Sequence, residues 1–314
     1  MRTHTDVVYV KLEHEGHTAW GEATLPPYLP ETQKTVLQFL NDFTKVVSGT
    51  NDINYWFEEL NKVEDNLSAK AALDIALWDL NAQLQGKTIG ELAAVTGGEF
   101  PLGTYTIGVC PKPEIAIKIE EALYSGFELF KLKLNGMDDE QMLRDFKSLT
   151  IKPFAVDVNQ GWTDAHEAQK KLAWLALEGC LLAEQPLPKT SNALMPVIKS
   201  SSPLPLYADE SCQRLADIEP LREGFDGINI KLMKCGGITE ALQMIKKARD
   251  LEMKILIGCM SESSVGCTAA AHLTPLADYA DLDGPYLIAN DPFTGIKIKQ
   301  GHVQVNGLVK VKEV

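Results

Sequence analysis

"FELFKLKLNG", residues 127–136, has the makings of an interior β-strand that carries two charges such a strand should not hold. Phe127, Leu129, Phe130, Leu132 and Leu134 are apolar filling, yet Lys131 and Lys133 stand two apart. Strand side chains alternate between faces, so both ammonium groups emerge on the same side. Something on that side must welcome positive charge.

The surrounding pattern says what kind of fold this strand belongs to. From about residue 103, short apolar runs recur: GTYTIGV (103–109), LFKLKL (129–134), FAVDV (154–158), GCLLAEQ (179–185), PLYADE (205–210), DGINIKLMK (226–234), KILIG (254–258) and YADLD (279–283). Helical stretches such as ITEALQMIKKARDLEM (238–253) lie between them. Strands alternating with helices make parallel βα units. Eight of them in this length fit one closed α/β barrel of the TIM type. An open doubly wound sheet is the competing architecture, but no GxGxxG follows an early strand to support a dinucleotide version.

The first hundred residues differ. DVVYVKLEHEGHTAWGEA (6–23) reads as two strands around a Glu15-Gly16 turn. SAKAALDIALWDLNAQLQG (68–86) reads as a helix with Ser68 as N-cap, a stripe of Leu73, Leu77, Leu80 and Leu84, and Gly86 as its stop. The expected organisation is an α+β capping domain over 1–98, the barrel over 99–290, and a C-terminal segment, 291–314, packing back toward the cap.

The last polar residue of consecutive runs gives Lys133, Asp157, Glu184, Asp209 and Lys234, separated by 24, 27, 25 and 25 residues. That repeat is one βα unit, so the five occupy equivalent places at the C-terminal ends of consecutive strands, where barrel active sites are built. A lone acid after a strand is often only a helix N-cap. Three in succession, flanked by lysines at the same phase, are better read as a site. Three carboxylates in a partly buried mouth repel one another unless a cation joins them, and an all-oxygen donor set selects a hard divalent ion such as Mg²⁺. Lys133 and Lys234 on either side of that cluster suit proton removal α to a carboxylate and proton return from the opposite face, with Lys131 supporting Lys133.

The motifs KLKL (131–134), DVNQGW (157–162), AEQP (183–186), ADES (208–211) and IKLMKCGG (230–237) make the sequence resemble the enolase superfamily, in its muconate-lactonizing-enzyme subgroup. The resemblance implies a modified (β/α)₇β barrel under an α+β N-terminal cap, one Mg²⁺ per active site on Asp157, Glu184 and Asp209, and Lys133 and Lys234 as the acid/base pair. The mandelate-racemase branch uses a histidine base; none of His4, His14, His17, His166, His272 and His302 ends a strand run. Within the subgroup, Asp281 and Asp283 in YADLDGP resemble the Asp-x-Asp with which dipeptide epimerases grip a substrate's α-amino end, and the chemistry suits a free ammonium group. Cys259, Met260 and Ser261 in GCMSES, and Thr106 in TYTIG, match positions that line the dipeptide in that group.

The activity so implied is two-base epimerisation at the C-terminal residue of a dipeptide, with L-Ala-D/L-Glu from murein peptide recycling as the expected substrate. Other dipeptides, N-acylamino-acid racemisation, succinylbenzoate synthesis and a non-catalytic dipeptide- or metal-binding barrel are the alternatives. Similar proteins carry a further strand and a mobile loop before THTDVVYV (3–10), so these are expected to be missing here, and Arg2 is the candidate cation for an acidic side chain. A formal charge of −13 argues against nucleic acid or an anionic membrane as partner. No apolar run approaches a membrane span. Six scattered cysteines without a CxxC pair read as reduced thiols of a cytoplasmic protein. A homo-oligomer is expected.

Overall fold

The computed structural model describes residues 4–95, 98–305, 307 and 309–313; Arg2 lies outside them. The chain opens with a hairpin, β1 (Asp6–His14) and β2 (His17–Leu25), paired in register from Asp6–Leu25 to His14–His17. Its two-residue turn is the expected Glu15-Gly16, both at positive φ, the geometry that suits the twist of a tight hairpin. Helices α1 (Gln33–Val46), α2 (Ile53–Asn61), α3 (Leu67–Leu84) and α4 (Ile89–Leu92) follow.

Helix α3 starts earlier than the sequence suggests. Asn66, not Ser68, is its N-cap, and the first free N–H, that of Leu67, is donated 2.9 Å to Glu31 Oε1 from the loop before α1. A distant carboxylate therefore does the work that a local serine was expected to do, and Ser68 is fully buried. Gly86, at φ +64°, ends the helix as expected. Ala69, Ala72, Leu73, Ala76 and Leu77 pack into the cap's core, while Ala71, Ile75 and Ala82 pack into the core of the barrel. One helix thus serves two apolar cores, which is why it shows no clean polar face. Strand β2 crosses it so closely that a Cβ on Gly21 would sit 1.8 Å from the Ala72 carbonyl oxygen.

The eight expected runs form eight strands: β3 (Thr104–Ile107), β4 (Leu129–Lys133), β5 (Phe154–Asp157), β6 (Ala183–Glu184), β7 (Leu206–Ala208), β8 (Gly227–Lys231), β9 (Lys254–Gly258) and β10 (Tyr279–Asp281). They pair in parallel and in chain order, and a parallel bridge between Gly103 and Ala280 brings the last strand beside the first. The crossovers carry α5 (Lys112–Tyr124), α6 (Asp139–Leu149), α7 (Ala165–Leu177), α8 (Met195–Ser201), α9 (Ile218–Leu221), α10 (Leu232–Cys235) with α11 (Ile238–Asp250), and α12 (Ser264–Ala271). This is the (β/α)₇β order. After β10 come α13 (Gly284–Leu287) and short strands β11 (Phe293–Thr294), β12 (Lys297–Lys299), β13 (His302–Gln304) and β14 (Lys310–Val311). Phe293 meets Tyr9 and Trp20 of the hairpin edge-on, with ring centroids 5.0 and 5.1 Å apart.

Alternation along the strands sorts the side chains. Phe130, Leu132, Val156, Ala183, Ala208, Ile230 and Ile257 face the helices in the main core. Ala155, Leu182, Tyr207 and Leu256 form a separate apolar cluster, with Tyr279 against it, that fills the barrel interior. Two residues further along the same strands the interior turns polar, with Asp157, Glu184, Asp209 and Asp281. Among the described residues no helix is long and apolar enough to cross a membrane.

His272, at the C-terminal end of α12, is 6% exposed. Burial pushes its imidazole down to about 4, outweighing the Gly307 backbone hydrogen bond and the Glu91 carboxylate, which favour the cation. The folded protein therefore holds it neutral. Its contribution to stability is complete above the ordinary value near 6.5 and is lost as pH falls from there toward about 4, by up to about 3 kcal/mol. Denaturant unfolding between pH 7 and pH 4 should show this loss in the native chain and a shallower one in His272→Gln.

Candidate active site

The two lysines of the opening stretch point into the barrel. Strand register places Lys133 beside Asp157 and Asp157 beside Glu184; Asp209 follows directly on β7. One oxygen from each of the three carboxylates lies within 4.8 Å of one from each of the others, and all three residues are buried. For Lys133 and the three acids the sequence rhythm is therefore a spatial phase.

Positive charge reaches this cluster from four lysines. Lys131 Nζ stands 2.6 Å from Glu184 Oε2, 2.7 Å from Asp281 Oδ2 and 3.2 Å from Asp157 Oδ2. Lys133 Nζ donates to Asp157 Oδ2 at 2.6 Å. Lys231 Nζ donates to Asp209 Oδ2 at 2.7 Å, and Lys234 Nζ to Asp209 Oδ1 at 2.7 Å. The consequences divide the carboxylates. Against burial, Lys133 and Lys131 hold Asp157 down to about 2, and Lys231 and Lys234 hold Asp209 well below the usual range. Glu184 goes the other way: burial first, then the Asp157 charge, push it up to about 7. Lys131 stays cationic, because its four carboxylate neighbours overcome the cost of burying it.

At the end of β8 the strand-phase place belongs to Lys231, three residues before the expected Lys234. Strand β8 ends at Lys231, the place Lys133 holds on β4, and residues 232–235 turn into the single helical turn α10. Lys234 sits in that turn, 3% exposed, with all three donors committed: Asp209 Oδ1, the Asp209 carbonyl at 2.8 Å and the Asn229 carbonyl at 2.9 Å. The apolar run INIKLMK outlasts its strand, so its last lysine is one turn too late. The signal for Lys231 was a strand-phase count ending at the first lysine.

Other partners escaped the sequence reading. Asn229, buried on β8, donates to Glu184 Oε1 at 2.7 Å, and a Cβ on Gly258 would meet its Oδ1 at 2.4 Å. Gln185 Oε1 accepts from the backbone of Asp209 and Ser211, both at 3.1 Å, which fixes the β7 end. From the cap, Glu22 accepts from Ser263 N, Ser263 Oγ and Gly266 N at 2.8, 2.6 and 3.0 Å, and Tyr28 Oη donates to Met260 Sδ at 2.9 Å. A buried amide or carboxylate leaves no periodic trace, so only the structure identifies these.

The mouth is a cavity of about 740 Å³ lined by Thr106, Lys133, Asp209, Lys231, Lys234, Cys259, Met260, Ser261, Asp281 and Asp283, with Tyr28, Leu29 and Pro30 arriving from the cap. Of the residues expected to line the substrate, Thr106, Cys259, Met260, Ser261, Asp281 and Asp283 border it, while Lys131 lies beneath, 2% exposed among the carboxylates. Asp281 and Asp283 differ in what they have left to offer. Asp281 is engaged by Lys131 and by Thr104 Oγ1 at 2.6 Å. Asp283 accepts from Thr106 N at 2.6 Å, and burial together with the Asp281 charge pushes it up to about 7. Of the two, Asp281 is the more heavily engaged.

Residues 1–93 match the family profile of the mandelate racemase / muconate lactonizing enzyme N-terminal domain, and residues 114–312 match that of the enolase C-terminal domain-like family. The chain belongs to the mandelate racemase / muconate lactonizing enzyme family. It is 40% identical over 312 residues to the L-Ala-D/L-Glu epimerase of Bacteroides thetaiotaomicron, covering 98% of this chain and 80% of that one. It is 35% identical to a hydrophobic dipeptide epimerase of a Flavobacteria bacterium, covering 96% and 88%. The fold superposes on the dipeptide epimerase from Cytophaga hutchinsonii, solved with Mg and D-Ala-L-Val, with a TM-score of 0.88 at 27% identity over 98% and 89% of the chains.

Membership accords with the donor chemistry. Glu184 Oε2 is buried and makes no hydrogen bond, although Lys131 lies near it. An all-carboxylate trio with one such oxygen, and with Glu184 raised by burial and by the Asp157 charge, fits a hard divalent ion. The Lys131 ammonium touches Asp157 and Glu184 of this trio and Asp281 beside it, so Lys131→Met should cost about 3–5 kcal/mol of stability in chelator-treated protein, read by denaturant unfolding.

Proposed function

We propose that this protein is a dipeptide epimerase, an isomerase that inverts the α carbon of the C-terminal residue by proton transfer between Lys133 and Lys231. One observation carries the reading. In a barrel of eight strands taken in chain order, β4 and β8 lie half a turn apart, so the two strand-ending lysines face each other across the mouth. Asp157, Glu184 and Asp209 occupy the three strands between them on one side. Asp283, Thr106 and Ser261 border the other side.

A dipeptide fits this arrangement with its carboxylate toward β5–β7, its ammonium toward Asp283, and its α carbon between two amines. Asp157, Glu184 and Asp209 are the residues that would hold Mg²⁺. When bound, the ion supplies positive charge that lowers the cost of forming an enediolate from the substrate carboxylate. Lys131 adds a fixed buried cation to the same field. One lysine takes the α proton from its face, and the lysine opposite delivers a proton to the other face, which completes the inversion. Lys234 serves by holding Asp209 and the end of β8 rather than as the base. A free α-amine as the group facing Asp283 favours dipeptides over N-acylated substrates, whose amide nitrogen carries no charge. The relative from Bacteroides supports L-Ala-D/L-Glu as the substrate. Six unpaired cysteines support a reducing, cytoplasmic location.

Proton NMR in D₂O with Mg²⁺ and a dipeptide panel including L-Ala-L-Glu and L-Leu-L-Tyr tests the reading. Loss of the C-terminal residue's α-proton signal, strongest for L-Ala-L-Glu, is the expected result; silence across the panel would overturn it. Lys133→Ala and Lys231→Ala should each lower epimerisation roughly 10²- to 10⁴-fold, each keeping α-proton exchange from one epimer only. Separately, Glu184→Gln should weaken Mg²⁺ binding at least about tenfold by calorimetry; unchanged affinity would remove Glu184 from the ligand set.

A further inference from the structure

The glycine pair that ends IKLMKCGG is not used by the chemistry above, yet it begins two residues after Lys234 and five after Lys231. Gly236 and Gly237 both have positive φ, +82° and +118°. Each is also pressed against the cap. A Cβ on Gly236 would lie 2.9 Å from Cδ of Lys70, and one on Gly237 would lie 2.4 Å from Oδ1 of Asp74. Both partners belong to α3, the helix whose apolar residues enter both cores.

Asp74 is 1% exposed. Its Oδ1 accepts from Ile238 N at 2.5 Å and Thr239 N at 3.1 Å, the first free amides of α11, and its Oδ2 accepts from Thr239 Oγ1. Thr239 Oγ1 in turn accepts from Trp78 Nε1, one turn along α3, at 2.9 Å. A carboxylate from one domain therefore caps a helix of the other. Gly237, the local N-cap, has no side chain to do it. Further holds surround the same turn. Met233 Sδ accepts from Thr24 N at 3.5 Å, and Arg214 joins Glu240 on α11 through two 2.7 Å bonds while donating to the Glu64 carbonyl at 3.1 Å.

Resting on the proposed two-lysine reaction, we infer that Asp74 is a positioning residue for Lys231: by capping α11 from the cap domain it fixes the turn between Lys231 and Gly237, and so sets where one of the two amines stands. Among the described residues Lys133 has no such link to the cap. It ends β4 and is held by Asp157. Loosening the Asp74 cap therefore acts on one face of the substrate and spares the other, since the barrel strand that carries Lys133 lies half a turn away. A general loss of folded protein lowers both faces equally, so the two effects separate.

The test follows α-proton exchange in D₂O from L-Ala-L-Glu and from L-Ala-D-Glu separately, with Lys231→Ala identifying the epimer that depends on Lys231. Asp74→Ala should slow exchange of that epimer, and epimerisation with it, roughly 10- to 100-fold, as expected of a misplaced catalytic group. Exchange of the other epimer should stay within about twofold, with KM unchanged. Asp74→Asn, which retains an oxygen for the two amides, should recover most of the loss. Thr239→Val should give the same asymmetry at smaller size. Equal losses for both epimers, or no loss, overturn the inference. A readout independent of activity separates it from the epimerase reading: deuterium exchange followed by mass spectrometry. Amides of residues 232–239 should exchange roughly five- to tenfold faster in Asp74→Ala, with β4 unchanged. Unaltered protection there overturns the inference whatever the substrate proves to be.

Discussion

Acids and ammonium groups at one end of this barrel are buried on each other's account. Asp157, Glu184, Asp209 and Asp281 lie beneath the mouth with at most 5% exposure, and removing any one charge from such a set leaves its partners without compensation. Lys131 is the keystone, because its single ammonium contacts three of the four. That explains why a strand otherwise filled with leucine and phenylalanine tolerates it: the inward face of β4 meets carboxylates, while Phe130 and Leu132 take the outward face. The apolar floor of Ala155, Leu182, Tyr207 and Leu256 closes the barrel below and confines the polar groups to the C-terminal end of the strands. The low dielectric that this floor helps to create strengthens every interaction above it.

The cap depends on the barrel in the same way. Helix α3 divides its surface between two cores, so neither domain can bury its own apolar face alone. Buried acids from the cap, Asp74 and Glu22, then cap α11 and α12 by accepting their first amides. The strands before these helices end at the cavity, β8 with Lys231, followed by the turn α10, and β9 followed by Cys259 to Ser261. The side of the barrel that carries Lys231 and Cys259 to Ser261 is thus tied to the cap by hydrogen bonds to buried carboxyl groups.

How much of this was legible in the sequence depends on whether periodicity carried it. The eight strands, the parallel order, the acidic trio and Lys133 follow from period two within strands and a repeat of about 25 residues between them, and the structure places them accordingly. The pattern pointed to Lys234 rather than to Lys231, the lysine at the strand end, because apolar residues continue from β8 into α10 without a break in hydropathy; the change from strand to helical turn is made by backbone geometry and by Lys234 binding two carbonyls of its surroundings. Ser68 was mistaken for a cap because the true partner, Glu31, lies 36 residues away. Asn229, Gln185, Glu22 and Asp74 are single polar residues in apolar segments, and nothing local says which distant amide each will meet. Sequence pattern locates what repeats, whereas long-range polar contacts are made only by folding.

The placement of the two amines also constrains what the site accepts, on the proposed reading. A substrate carbon that exchanges its proton on both faces must lie on the line between β4 and β8, so only the two remaining directions are open to its other groups. On one side stand three carboxylates, which admit the substrate's own carboxylate only through a cation. On the other stands Asp283, its neighbour Asp281 already committed to Lys131. An ammonium near Asp283 gains a partner whose carboxyl is held up to about 7 by burial and by Asp281; a positive charge there favours its ionised form. Opposite charges at the two ends of the substrate, one bond path apart across the reacting carbon, describe a short zwitterion. A chain extended at either end would have to bury an uncharged amide where the protein offers a carboxylate or a cation. On that reading length selection comes from electrostatics at the two ends of the cavity, while the cap's Tyr28, Leu29 and Pro30 border the same space.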